Sequence, residues 1–245
     1  MGVFLVAVSG FSTRTVLVIA SVMIIQPVEW IRVICTLCDI PFLEYGNNWL
    51  KYAVLAKPVM ESGSFLEVVQ SNITYGQLYG NLWQIENGRI FQIGGLFLFG
   101  MVAGRLSLFQ NTRESMMVWK KISLWSAVLF IPLNLLRMVY PGIAKGDKAL
   151  LMPLDIAVPS ICNFLLMCFL VSCFVLLWYD KGNGYKFQRL FIPFGKMSLT
   201  NYIAQSVIGV SVFYGFGLNL YKSTGATACL LIAVVIFAIL LAFSR

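Results

Sequence analysis

Five stretches of this sequence, Arg89 to Phe109, Ile122 to Tyr140, Leu154 to Trp178, Ser198 to Leu218 and Gly225 to Phe243, are mostly apolar. Each has about the 20 residues that carry a helix across the hydrocarbon core of a bilayer. In hydrocarbon every backbone N–H and C=O must bond within its own segment, so such runs fold as helices and pack as a bundle. The expected fold class is therefore all-α, a polytopic transmembrane helix bundle of about six spanning helices. An N-terminal helix stub and an extracytoplasmic interfacial segment complete it. The chain reads as a single integral membrane domain over residues 1–245: stub and first span at 1–34, interfacial segment at 35–88, five-helix core at 89–245. Composition agrees, with 11% charged residues and a mean hydropathy of +0.83, against about 25% charged in soluble domains. The net charge of +8 does not mark a nucleic-acid surface, because the 18 basic residues punctuate apolar runs instead of clustering on a polar face.

The sixth span is broken. Thr15 to Ile25 is too short to cross and must continue through Gln26 and Pro27 toward Ile34, with a kink expected at the proline. Gly2 to Phe11 is an apolar stub, separated by a turn near Arg14, which would cost roughly 2.5 to 3.5 kcal/mol at mid-bilayer if the runs were fused. Between Pro27 and Gly88 lies the one long polar stretch, with Gly46-Asn47-Asn48 and a segment from Ser62 to Gln84. There Phe65, Leu66, Val69, Ile73 and Tyr79 recur at mostly helical spacing, which suits either an interfacial helix or a lid packed on the bundle.

Charge sets the expected orientation. One side collects ten basic residues (Arg14, Arg105, Arg113, Lys120, Lys121, Lys181, Lys186, Arg189, Lys196 and Arg245) against Glu114 and Asp180. The other side holds eight basic residues, Lys145 among them, balanced by eight acids that include Glu44. Basic residues concentrate in short cytoplasmic loops, so the first side and the C-terminus are expected in the cytoplasm, and localisation is expected in a bacterial cytoplasmic (inner) membrane. The lipid bilayer is then the expected partner, and nucleic acid is not.

The chain has no histidine, which removes histidine general-base catalysis and His-ligated metals. Cys35 and Cys38 form a CxxC without a second pair, so no metal site is expected. Two stretches depart from plain lipid-facing sequence. The first, Gly88 to Arg105, has Arg89 and Arg105 at its ends and a GxxxG at Gly100 and Gly104, a spacing that lets a neighbouring helix approach closely. Its arginines either snorkel to the headgroups or bind an anion. In the second, Pro193 to Ser206, the polar residues Ser198, Thr200, Asn201, Gln205 and Ser206 crowd the cytoplasmic start of a span. Asn201 and Gln205 share a face that must point into the bundle, Ser198 is placed to cap the helix, and the Gly94 to Gly104 helix is the expected neighbour of Asn201. Elsewhere Arg137 and Asp155 are placed to form an ion pair near the outer surface.

Those two stretches carry a resemblance. Phe97-Leu98-Phe99-Gly100-Met101 with Gly104-Arg105, and above all Gly195-Lys196-Met197-Ser198-Leu199-Thr200-Asn201-Tyr202 followed by Gln205-Ser206 and Phe213-Tyr214-Gly215-Phe216-Gly217-Leu218, resemble the YeiB-like bacterial membrane proteins. The C-terminal portion of those proteins is domain of unknown function 418 (DUF418). The similarity runs from about Ser62 to Phe243. The family's early helices and its short C-terminal tail have no counterpart here, so an incomplete copy is expected, without a complete catalytic site. The resemblance extends in architecture to multi-span acyltransferases that modify cell-envelope sugars, relatives that depend on a histidine. It implies a membrane acyl-transfer component that itself holds no cofactor but binds an acyl donor such as acyl-CoA, with a small-molecule or envelope-glycan substrate. Arg89, Arg105, Lys196, Ser198, Thr200, Asn201, Tyr202 and Gln205 are the candidate substrate- or anion-binding residues. Two other readings stay open. Intramembrane Asn134, Asp155, Asn163, Asn201 and Gln205 could line the path of a transporter or of a lipid or small-molecule translocator, or all these polar groups could serve only the packing of a structural membrane protein.

Overall fold

A computed structural model describes residues 2–41, 47–144, 146–182 and 184–245, and among them the regular structure is helical, with no strand. Glu44, Gly46 and Lys145, used above in the charge and loop arguments, lie outside the described residues. The chain divides into two compact units, Met1–Tyr45 with Gln84–Tyr179, and Gly46–Trp83 with Asp180–Arg245.

The first unit contains α1 (Gly2–Val8), α2 (Thr13–Ile25), α3 (Pro27–Leu37), and then α7 (Arg89–Arg105), α8 (Arg113–Ile143) and α9 (Lys148–Trp178). The turn expected near Arg14 falls just before it, where the Ser12 hydroxyl caps α2 by accepting the Thr15 amide at 3.2 Å. The kink expected at Pro27 is a break between two helices bent by 47°. Gln26 takes the left-handed conformation with φ 60, and Pro27 opens α3 at a first-turn position where its missing N–H costs nothing. α2 packs against α7 through Val16, Ala20, Leu98 and Val102, with Val8 of α1 in the same cluster.

Glycine allows the α2–α7 contact, but not at the expected positions. A Cβ at Gly94 would overlap Met23 Cε, and one at Gly95 would stand 3.0 Å from Ile24 and 3.1 Å from the Ala20 carbonyl, whereas Gly100 and Gly104 have nothing within 4 Å. Close approach therefore uses the Gly94-Gly95 pair, one turn or more before the GxxxG. α8 and α9 are capped by Thr112 and Asp147 and pair along their length. Tyr140 to Asp155 near their turn and Ser123 to Cys173 near their far ends mark a constant antiparallel register.

The second unit contains α4 (Asn48–Ser62), α5 (Phe65–Ser71), a π-helical turn at Asn72–Gly76, most of α6 (Gln77–Glu86), α10 (Gly184–Lys196), α11 (Ser198–Phe213) and α12 (Ala226–Phe243). The stretch expected as an interfacial segment is thus helical, and α5 begins with a reciprocal capping box between Ser64 and Glu67. After α11 the chain folds back. Leu218, Leu220 and Tyr221 donate their amides to the carbonyls of Ser211, Val212 and Phe213, which the end of the helix would otherwise leave unpaired. Only glycine fits at 217, where a Cβ would overlap the Ser211 carbonyl, and at 215, where it would sit 2.7 Å from backbone atoms of Glu61 and Ser62. Gly215 N–H donates to the Met60 carbonyl at 2.9 Å, and Lys222 pairs with Glu61 at 3.2 Å. The Phe-Tyr-Gly-Phe-Gly-Leu motif is therefore the seam between α11 and the end of α4.

Among the described residues three helices, α8, α9 and α12, are long and apolar enough to cross a membrane, and the bent pair α2–α3 makes a fourth if taken as one span. Only 6% of the most apolar window of α8 and 11% of that of α12 is buried inside the protein. Apolar surface left outward on this scale needs an apolar surrounding. The runs read as spans at Arg89 and Ser198 form helices of 17 and 16 residues. α7 stops short of Phe109, the chain turning at Ser107, which has φ 51, and α11 stops at the fold-back. Helix length by itself thus supports three or four spans, not six.

Candidate functional site

In the second unit the family-like block from Pro193 to Ser206 closes one end of a three-helix cluster. Asn201, on the first turn of α11, is 3% exposed. Its Nδ2 donates to the Phe194 carbonyl of α10 at 3.1 Å and to Ser244 Oγ, just past α12, at 2.9 Å. Ser244 in turn reaches Asn201 Oδ1 at 3.2 Å and the Leu240 carbonyl at 2.8 Å. One amide therefore ties α10, α11 and the end of α12 together. Beside this knot is a cavity of about 190 Å³ lined by Phe194, Gln205, Gly209, Phe213, Ala233 and Phe237 among others. Its wall is mostly apolar, with the Gln205 amide and the Cys229 thiol among the groups that line it.

Asn201 faces the interior, as its polarity within an apolar run requires. Its partners are Phe194 and Ser244, however, not the glycine-rich helix. Ser198 does not cap α11, since Met197 holds the cap position without a side-chain bond. Lys196, Ser198, Thr200 and Tyr202 are exposed, and Gln205 is exposed at the cavity wall.

Arg89 and Arg105 lie in the first unit, at opposite ends of α7. Arg105 spends two donors on backbone, reaching the Phe11 carbonyl at 2.8 Å and the Ser9 carbonyl at 2.6 Å. Its fork closes the α1–α2 turn. Arg89 donates to Gln92 Oε1 at 2.6 Å. Among the described residues no Arg137–Asp155 ion pair forms: Asp155 instead accepts the Tyr140 hydroxyl at 2.5 Å. A tyrosine one turn after Arg137 also reaches α9, and its phenol gives the carboxylate a hydrogen bond without bringing a second charge out of water.

Sequence reasoning missed a second polar knot. Gln26, 2% exposed, donates to the Gly88 carbonyl at 2.8 Å and to Ser160 Oγ at 3.4 Å, and Ser160 reaches the Ile24 carbonyl at 3.4 Å. Gly88 has φ +64, and a Cβ there would stand 2.8 Å from Gln26 Oε1. Ser160 occupies a carbonyl that the α2–α3 break sets loose, and Gln26 ties the break to the Gly88 turn ahead of α7, which makes the knot a structural device. The signal was present in Gln26 as a polar residue directly before a mid-run proline. For Ser244, nothing local pointed to a partner 43 residues away.

Together these features define a class: helical membrane proteins whose buried polar residues lock helix ends and breaks, here with a small, mostly apolar cavity under the distinctive block. Within that class, the chain belongs to the family described as protein of unknown function DUF418, whose model matches residues 103–245. That range contains the Gly195 to Tyr202 block on which the resemblance chiefly rests. The chain is also similar to the uncharacterized protein YxaH of Bacillus subtilis (strain 168), 35% identical over 80 residues that cover 33% of this chain and 20% of that protein. The match therefore spans about a fifth of the length of that curated relative. No solved structure matches the chain.

Proposed function

We propose that this chain is a six-span protein of the bacterial cytoplasmic membrane, with its C-terminus in the cytoplasm, that binds the acyl donor in an acyl-transfer system acting on cell-envelope substrates. The observation that carries the reading is the apolar cavity of about 190 Å³ beneath the family's most distinctive block, with Gln205 at its wall. A narrow apolar cleft with one orienting amide suits the chain and carbonyl of an acyl group. Lys196, Ser198, Thr200 and Tyr202, exposed at the start of α11, offer a cation and hydroxyls for the phosphates of a donor such as acyl-CoA. No step of the transfer is assigned to residues of this chain. α7 and α11 complete the six spans at roughly 24 to 26 Å each, lengths that a locally thinned bilayer accommodates. A translocation path is a weaker reading, because Asn201 and Asp155 are occupied by Ser244 and Tyr140.

The test is binding of palmitoyl-CoA and of coenzyme A to the full chain in lipid nanodiscs. The acyl form binds more tightly, and Ala233→Phe, which fills the cavity, weakens it about tenfold, the equivalent of roughly two buried methylenes at about 0.8 kcal/mol each. Gln205→Leu weakens it as well. Equal affinity for the two ligands in all three proteins ends the proposal.

A further inference from the structure

Among the described residues of the second unit α10 is a basic amphipathic helix, and the acyl-donor reading leaves most of it unexplained. Its sequence, Gly-Tyr-Lys-Phe-Gln-Arg-Leu-Phe-Ile-Pro-Phe-Gly-Lys, contains no acid. At 3.6 residues per turn Tyr185, Arg189, Ile192 and Lys196 fall on one face, with Lys186 at its flank. All five are exposed, Tyr185 at 74%. On the opposite face Phe194 lies 5.3 Å from Phe237 of α12, ring to ring. Among the described residues no carboxylate pairs with Lys186, Arg189 or Lys196.

The level of this helix is fixed by the Asn201 knot. Asn201 bonds both the Phe194 carbonyl near the end of α10 and Ser244, the residue after α12. α12 has 18 residues, all apolar but Thr227, roughly 27 Å of helix, close to the thickness of the hydrocarbon core. Its end therefore marks the core boundary, and α10 is pinned there. Cations interleaved with a tyrosine and an isoleucine at that depth match a headgroup layer, where the phosphates are anionic and the apolar tips can dip inward.

We infer that α10 lies on the cytoplasmic membrane surface and binds the phosphates of anionic phospholipids through Lys186 and Arg189. The inference rests on α12 spanning the bilayer. Lys196 shares the face but is left unchanged in the test, because it also belongs to the acyl-donor proposal.

The experiment uses the full chain, titrated in detergent with phosphatidylglycerol and with phosphatidylcholine and read by native mass spectrometry as lipid bound per protein. Wild type prefers phosphatidylglycerol. A Lys186→Gln, Arg189→Gln double variant loses about fivefold of that preference per cation, on the order of 25-fold in all. A Lys186→Arg single variant retains it, and a Lys51→Gln, Lys57→Gln control on α4 leaves it unchanged. Inorganic phosphate at millimolar concentration does not abolish the preference, since the acyl chains hold the lipid against the apolar surface of the protein and its micelle while the free ion has no such anchor. Equal preference in wild type and the double variant, equal loss in the control, or abolition by phosphate overturns the assignment. Alkaline carbonate extraction of membranes tests the underlying span separately. A chain that stays in the pellet yet shows no lipid preference overturns only the role of α10, and a chain released to the supernatant overturns both.

Discussion

At Asn201 a single amide holds three helices, and its donors and acceptor face Phe194 and Ser244 at hydrogen-bond distance. Replacing it with leucine leaves Ser244 and a backbone carbonyl without their partner inside the unit, a loss of about 1 to 2 kcal/mol. Leu199, two residues earlier, is 71% exposed. We expect Asn201→Leu to lower the thermal unfolding temperature in detergent clearly more than Leu199→Asn does; equal shifts would contradict the knot. Arg105 teaches the complementary lesson. Its position at the end of a glycine-rich helix suggested an anion site, yet the nearest acceptors are the carbonyls left open where α1 ends at Val8. A guanidinium presents a rigid fork of donors, and backbone carbonyls satisfy it as well as a ligand would.

At the scale of elements, helix ends decide most of what happens. α5 starts with the Ser64–Glu67 box, in which the Ser64 amide and hydroxyl donate to Glu67 Oε2 at 2.7 and 2.9 Å. The backbone bond, more than the hydroxyl, holds the Glu67 carboxyl below its ordinary value of 4.5. Because the folded value is the lower one, the contribution of this cap is complete above the ordinary carboxylate range and is lost as the pH falls through the lowered value. A Glu67→Ala variant should accordingly be less stable than wild type near neutrality, with the gap narrowing in acid. A gap that stays constant from pH 7 to pH 3 would contradict the linkage. The break between α2 and α3 follows the same logic in an apolar setting, where Gln26 and Ser160 supply the bonds that water would have supplied elsewhere.

For the whole molecule the decisive quantity is outward apolar surface. Helices such as α12, whose most apolar window is 11% buried, are stable only if something apolar covers them. On the proposed topology, which rests on the asymmetry of short basic loops, we expect a fluorescent reporter fused after Arg245 to fold in the cytoplasm while an alkaline phosphatase fusion at the same point stays inactive. An active phosphatase there would invert the proposed topology and move the basic face of α10 to the other leaflet.

Legible along the chain were the helical class, the runs that become α8, α9 and α12, the break at Gln26-Pro27 and the inward direction of Asn201. These follow from local quantities: the length of an apolar run, a proline without an amide proton, and a polar group that hydrocarbon will not accept. The family was legible too, through the Gly195 to Tyr202 block and the Phe-Tyr-Gly-Phe-Gly-Leu motif, whose glycines at 215 and 217 are forced by backbone contacts. Which groups meet depends instead on how the helices dock. Ser244 reaches Asn201 across 43 residues, Gln26 reaches Ser160 across 134, Tyr140 takes Asp155 in place of Arg137, and close packing falls on Gly94 and Gly95 instead of Gly100 and Gly104. Periodicity tells a side chain which face it occupies, but the partner on that face is chosen by how distant helices dock, and docking is fixed by the packing of all of them at once.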